Sequence, residues 1–321
     1  MNNVGKDAMA DLTKQVGTAA GIASGAIWGL LGVFSRELTA YGMSSMQITC
    51  IRFLFLALGV LPYILLFERD QLRLSKKSLG ILIFMGAFGL AFSSAAYMES
   101  VNHASLAVAS ITSNLHPFFV LMFSIPLLHE KLTKYKVIAL LISFTGCVIC
   151  TGIFSTPETI DYYGVIMGVL VGAIYCFYTI GSKIVSSREV SIMGVMFYTA
   201  LFSSLALAPL CNFPEAITIV TTNLPVLEIM LVFSLGMSLS QILLYIYAVG
   251  KIGAGKVSIL IYSETITAAI IGLILYGEPI TLDVIVGMAL AIVGLVILYM
   301  DKQNDGIVKR GLPEDERKPP T

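Results

Sequence analysis

Ten apolar runs, each about 20 residues long, follow one another from Gly17 to Met300 with only short polar breaks between them. No other feature limits the fold as strongly. A bilayer offers no water to unpaired backbone groups, so each run is predicted as a membrane-spanning helix. The approximate spans are residues 17–36, 46–67, 78–99, 106–128, 136–154, 162–183, 191–210, 226–248, 256–276 and 281–300. Only 12% of the residues are charged, about half the share of a soluble domain. The expectation is an all-α integral membrane protein with little chain left for a soluble unit. Residues 1–16 read as a polar N-terminal tail, followed by a retained span and not by a cleaved signal peptide. Residues 301–321 read as a charged, disordered C-terminal tail.

Basic residues orient the spans. With the N-terminus inside, alternation puts Lys6 and Lys14, then Arg69, Arg73, Lys76 and Lys77, then Lys131, Lys134 and Lys136 on the cytoplasmic side. Lys183 and Arg188, Lys251 and Lys256, and the five basic residues of the C-terminal tail fall there too. Arg36 alone lies outside, and Arg52 lies within the second span. One missed or invented helix would mix the two sides from that point on. Both termini are therefore expected in the cytoplasm, with the protein in the cell membrane.

The chain also repeats itself. A shift of 147 residues lays Gly17, Gly21 and Gly25 over Gly164, Gly168 and Gly172, Trp28 over Tyr175, Arg36 over Lys183 and Pro62 over Pro209. A shift of 148 lays Tyr97 over Tyr245, Glu130 over Glu278, Thr133 over Thr281 and Gly146 over Gly294. The repeats are residues 17–154 and 162–300, five helices each. An odd helix number makes the second copy enter the membrane from the opposite side. Ten helices as two inverted five-helix repeats is the architecture of alternating access, with a substrate site near the midplane between the halves.

Four stretches carry a family resemblance. They are "GIASGAIWGLLGVFSREL", "QITCIRFLFLALGVLP", "LHPFFVLMFSIPLLHEKLT" and "YSETITAAIIGLILYGEPIT". The chain resembles EamA-type members of the drug/metabolite transporter superfamily across residues 17 to 300. His129 stands where the family's Gly is usual, and Thr265 where its Pro is usual. The resemblance implies a central cavity between the halves and transport of small organic solutes, amino acids and other metabolites among them.

Several side chains are candidates for that work. Glu264 stands about 12 Å into the ninth span, near the middle of a core about 30 Å thick. A carboxylate at that depth must face a wet cavity or a partner, where it could exchange a proton; the alternative is a static interhelical anchor. His116 is its repeat-mate, and the two are expected to line one cavity and to meet directly or through water. The alternative for His116 is to cap a kink at Pro117. Asn114 could offer a polar contact beside it, or equally satisfy backbone freed by Pro117. Arg52 could bind a carboxylate, or it could snorkel outward or pair with Glu99. Trp28, Tyr175, Tyr97, Tyr245 and Tyr262 could form an aromatic cage for an organic cation or apolar side chain, and interfacial belts use the same residues. Gln241 is a further polar candidate. The four-residue glycine spacing reads as close helix packing.

Other classes lack their parts. Net charge is zero, which gives no basic surface for a nucleic acid. Cys147 and Cys150 form a CxxC inside a span with no second ligand pair, so no metal is expected and small-residue packing is the simpler reading. Intramembrane proteolysis would need a Ser–His pair, paired Asp or an HExxH site, none of which is assembled. No Walker sequence is present. The expected function is cofactor-free secondary transport, first as export of amino acids or related metabolites. The alternatives are uptake of a metabolite or a quaternary amine and, from another class, an intramembrane enzyme. The expected partners are a small-molecule substrate and the lipid bilayer, with proton coupling as a candidate drive. A monomer would suffice, and a dimer is equally compatible.

Overall fold

The computed structural model describes residues 3–116, 118–120, 122–123, 133–152, 160–186, 190–252, 257 and 260–300. Pro117, His129, Glu130 and the C-terminal tail lie outside the described residues. Every regular element among those described is helical. The apolar helices are α1 (Thr13–Ala40), α2 (Ser45–Phe67), α3 (Lys76–His103), α4 (Leu106–Ser113), α5 (Lys134–Cys150), α6 (Tyr162–Ser186), α7 (Ile192–Leu207), α8 (Leu224–Ile252), α9 (Ser263–Tyr276) and α10 (Leu282–Met300). Among the described residues, α1, α2, α3, α6 and α8 are each long and apolar enough to cross a membrane, and the others are shorter apolar helices. The short helix Phe213–Thr222 joins α7 to α8.

Serine sets two corresponding starts. Ser44 caps α2 with a full capping box to Gln47, and Ser191 caps α7 by accepting from the Gly194 N–H. These two caps stand 147 residues apart. So do two widened π-helical segments, Met85–Leu90 inside α3 and Val232–Met237 inside α8.

Two expected spans are interrupted. Helix α4 ends at Ser113, turns at Asn114–Leu115 and resumes at His116. The span expected at 256–276 turns at Ile261–Tyr262, so Glu264 lies in the first turn of α9 and not eight residues into a continuous helix. Local bonding explains both breaks. Asn114 Nδ2 donates to Ser110 O at 2.9 Å, and Ser113 Oγ donates to the same oxygen at 2.8 Å. The Leu115 N–H then reaches only to Thr112 O at 3.2 Å. In the second break, Glu264 N–H bonds Ile261 O at 2.8 Å and Thr265 N–H bonds Tyr262 O at 3.1 Å. Both are tightened turns, and in the first of them short polar side chains compete with the helical ladder. The second break forms although Thr265 stands in place of a Pro.

Glycine brings the helices into contact crosswise. A Cβ on Gly29 of α1 would lie 2.5 Å from Glu264 O, and one on Gly172 of α6 would lie 3.0 Å from His116 N. Helix α1 therefore lies backbone-to-backbone on the segment bearing Glu264, and α6 on the segment bearing His116. Helices α5 and α10 meet through Gly146 and Gly287, the latter against Cys150. Cys147 and Cys150 are buried, unlinked thiols. The largest buried cluster runs from Leu31, Ile48 and Tyr97 to Val171, Phe233 and Ala268, joining helices from both ends of the chain.

Candidate functional site

Glu264 is 7% exposed and sits where the α9 amide dipoles present their positive end. Ser110 Oγ of α4 donates to its Oε1 at 3.1 Å. Ser110 Oγ is also 3.0 Å from Thr265 Oγ1, and Asn114 Nδ2 donates to Thr265 Oγ1 at 3.3 Å. The rings of Tyr97, Tyr175 and Tyr262 lie within electrostatic reach of the carboxyl group, and Tyr245 within reach of Tyr175. Most of these neighbours carry hydroxyls, which rotate to donate or accept. The cluster can therefore satisfy Glu264 with or without its proton.

His116 does not join it. Its ring stands edge-on to Tyr175, 5.5 Å between centroids, and Tyr175 stacks on Tyr178 at 5.1 Å. The ion pairs among the described residues are Arg36–Glu278, His103–Glu99 and His103–Asp161, and none joins His116 to Glu264. Tyr175 lies near both residues and is the link between them.

Arg52 neither snorkels nor pairs with Glu99. It is 8% exposed and points inward, where its Nη2 donates to Ser238 Oγ of α8 at 3.2 Å. Its guanidinium lies 4.4 Å from the Phe233 ring centroid and 5.3 Å from that of Phe53. A cavity of about 10 Å³ adjoins it, lined by Ile27, Trp28, Leu31, Arg52, Met237, Ser238 and Gln241. That is room for about one water molecule. Trp28, Arg52 and Gln241 thus meet in one place, apart from Glu264. Tyr97 is within electrostatic reach of both Arg52 and Glu264.

Sequence reasoning missed Ser110, Thr265 and Ser238, which are ordinary helix residues until the fold sets them beside a buried charge. It also missed a latch at the ends of α1 and α9. Arg36 Nη2 lies 2.6 Å from Glu278 Oε1. Arg36 also donates to Val101 O at 2.8 Å and Ala104 O at 2.9 Å, and lies over Tyr276 at 4.4 Å. Glu278 Oε2 accepts the Leu106 N–H at 2.9 Å. A larger cavity of about 450 Å³ opens away from the buried residues, among Gln47, Glu99, Asn212 and Glu215. Its Glu215 is already engaged by Gln47 and Asn212, so the Glu264 and Arg52 region is the better candidate for the chemistry.

Many apolar helices packed through glycine around a few buried polar groups define a multi-pass membrane protein. The chain belongs to the EamA-like transporter family, whose model matches residues 15–152 and again residues 162–300. It is similar to an S-adenosylmethionine uptake transporter of Rickettsia prowazekii, 23% identical over 269 residues, covering 82% of this chain and 85% of that one. It is also similar to a pseudopaline exporter of Pseudomonas aeruginosa, 25% identical over 156 residues, covering 49% of this chain and 54% of that one. An uncharacterized transporter of Archaeoglobus fulgidus is 24% identical over 294 residues, with 89% and 97% covered. A solved crystal structure shares the fold with a TM-score of 0.54 at 16% identity, covering 90% of this chain and 98% of that one.

Proposed function

We propose that the protein is an alternating-access carrier built from ten helices as two inverted five-helix repeats. The repeats are residues 17–154 and 162–300, with both termini in the cytoplasm. The observation that carries this reading is the placement of the buried polar groups. Glu264 bonds to Ser110, Arg52 to Ser238 and Asn114 to Thr265, and each bond crosses from one family-matched stretch to the other. A seam closed by a few polar bonds and by glycine contacts can part and re-form, as a carrier requires. The serine caps and π segments at a 147-residue spacing support the repeat, and the basic residues support the orientation. On this orientation the Arg36–Glu278 latch closes the outer face.

The cargo is a small organic solute of amino-acid size, and the first reading is export of amino acids or related metabolites. Glu264 is the coupling group, since its rotatable neighbours serve either protonation state. The Tyr97, Tyr175, Tyr245 and Tyr262 rings pack the apolar or cationic part of the solute. Uptake of a metabolite is the second reading, favoured by the Rickettsia relative's coverage of most of both chains. The test is flux in proteoliposomes with a labelled panel of amino acids, nucleoside-bearing metabolites and quaternary amines, with and without a pH gradient. Saturable flux above protein-free vesicles is expected, accelerated by the gradient. No flux of any panel member would sink the carrier reading, and flux blind to the gradient would sink coupling.

A further inference from the structure

The two arginines near the seam are satisfied very differently. Arg36 has Val101 O, Ala104 O and the Glu278 carboxylate as acceptors. Arg52, more deeply buried, has Ser238 Oγ, and its Nε has no acceptor among the described residues. Ser238 donates its own hydrogen to Phe233 O at 3.3 Å, which leaves a lone pair for Arg52. No ion pair among the described residues includes Arg52. A guanidinium stays charged under all ordinary conditions and presents its N–H groups as a planar fork. In a membrane interior such a group calls for an anion.

The open side of Arg52 faces a cavity. Ile27, Trp28 and Leu31 of α1 wall one side, and Met237, Ser238 and Gln241 of α8 the other. The α8 wall sits at the end of the widened segment Val232–Met237, and such segments recur at functional sites. The cavity is closed to about one water here, and movement of α1 away from α8 would enlarge it. Its walls come from both family-matched stretches, so the movement that opens the seam also opens this cavity.

We propose that Arg52 is the receptor for a carboxylate group of the transported solute, with Trp28 covering the carbon skeleton next to it and Gln241 bonding its remaining polar atoms. The assignment rests on the carrier reading and adds to it the charge of the cargo. The guanidinium fork matches the two oxygens of a carboxylate in a bidentate pair. Glu264 lies in a separate cluster with Tyr97 between the two regions, so anion capture and proton exchange have different addresses.

Trp28 is the single tryptophan of the chain, so its fluorescence reports on this cavity without labelling. The purified protein would be titrated with L-leucine, L-glutamate and succinate, and separately with leucinamide, glutamic acid diamide and succinamide. The same solutes would compete for flux in vesicles. Each acid is expected to shift Trp28 emission saturably and to outcompete its amide on the order of tenfold. Arg52→Gln is expected to erase that preference, and Arg52→Lys to restore part of it. Equal action of acid and amide, or a preference that survives in Arg52→Gln, would overturn the assignment. Chloride or inorganic phosphate giving the same Trp28 response as the acids would overturn it too, in favour of an inorganic-anion site. If Arg52→Gln does not fold, the wild-type comparison of acid with amide decides alone. Transport of solutes without any acid preference refutes the Arg52 assignment and leaves the carrier standing. Absence of all flux refutes the carrier itself.

Discussion

Glu264 and Arg52 are both ionisable, both less than a tenth exposed, and both bonded across the same seam. Their surroundings differ in kind. Glu264 has hydroxyls and an amide around it, groups that turn to suit a carboxylate or a carboxylic acid. Among the described residues Arg52 has two aromatic faces, one hydroxyl and an Nε with no acceptor. A carboxyl group can meet a poor environment by taking up a proton, and a guanidinium cannot. The first site is therefore suited to a varying charge, and the second to a fixed charge that waits for a partner from outside.

The largest expected effect breaks the first half of that contrast. Glu264→Gln keeps the shape and the Ser110 contact but cannot exchange a proton. Flux under a pH gradient should fall to its level without one, read in the same proteoliposomes. A gradient response that persists would make Glu264 a helix tie only. Next comes the contrast between the arginines. Arg36→Met removes a guanidinium bonded to two carbonyls and a carboxylate and strands Glu278. The cost should be about 3 kcal/mol, since breaking a largely buried pair leaves its partner uncompensated. Thermal unfolding in detergent checks it, and a cycle with Glu278→Gln separates the pair from its surroundings. Third, Gly29→Ala should cost about 2 kcal/mol, because its methyl would press on Glu264 O. Flux should fall with it. Arg52→Met should move stability the other way, by about 1 kcal/mol of gain, as an uncompensated buried charge gives way to an apolar side chain. A loss as large as that of Arg36→Met would mean that Arg52 is satisfied within the protein.

The smallest effect lies at the surface. His103 Nδ1 bonds the Asp161 carboxylate at 3.0 Å, and that bond, helped by the Gly164 N–H, holds the Asp161 carboxyl below the ordinary carboxylate range. A group favoured as a carboxylate in the folded state adds stability above about pH 3.9, its ordinary unfolded value. That stability is lost as pH falls through the lowered folded value. Wild type and Asp161→Asn should differ slightly at neutral pH and converge in acid. A difference that grows on acidification would reverse the sign.

The apolar runs were legible because a bilayer imposes one polarity on its spans, although among the described residues only α1, α2, α3, α6 and α8 are long and apolar enough to cross one. The breaks at Asn114–Leu115 and Ile261–Tyr262 were not, because Asn, Ser and Tyr occur in unbroken spans as well. At the first break the effect depends on which carbonyl the Asn114 and Ser113 side chains reach, and at the second the backbone alone tightens. Glu264 stood out as a carboxylate among apolar residues, but its partner did not. The 148-residue offset in the sequence pairs it with His116, whereas the fold brings it to Ser110. A repeat identifies equivalent positions, and equivalent positions need not be neighbours. The inward turn of Arg52 was hidden for a related reason. A residue about two turns into a span can reach either the surface or the interior, and Ser238, which decides the matter, lies 186 residues away.

The paired π segments also share a mechanical property. A π turn closes its hydrogen bonds one residue further along than an α turn, which widens the helix at that point. Both family-matched stretches carry one, at residues 85–90 and 232–237, with the same spacing as their serine caps. Each family-matched stretch therefore carries the same wide, less regular turn at the same place, one within α3 and one within α8.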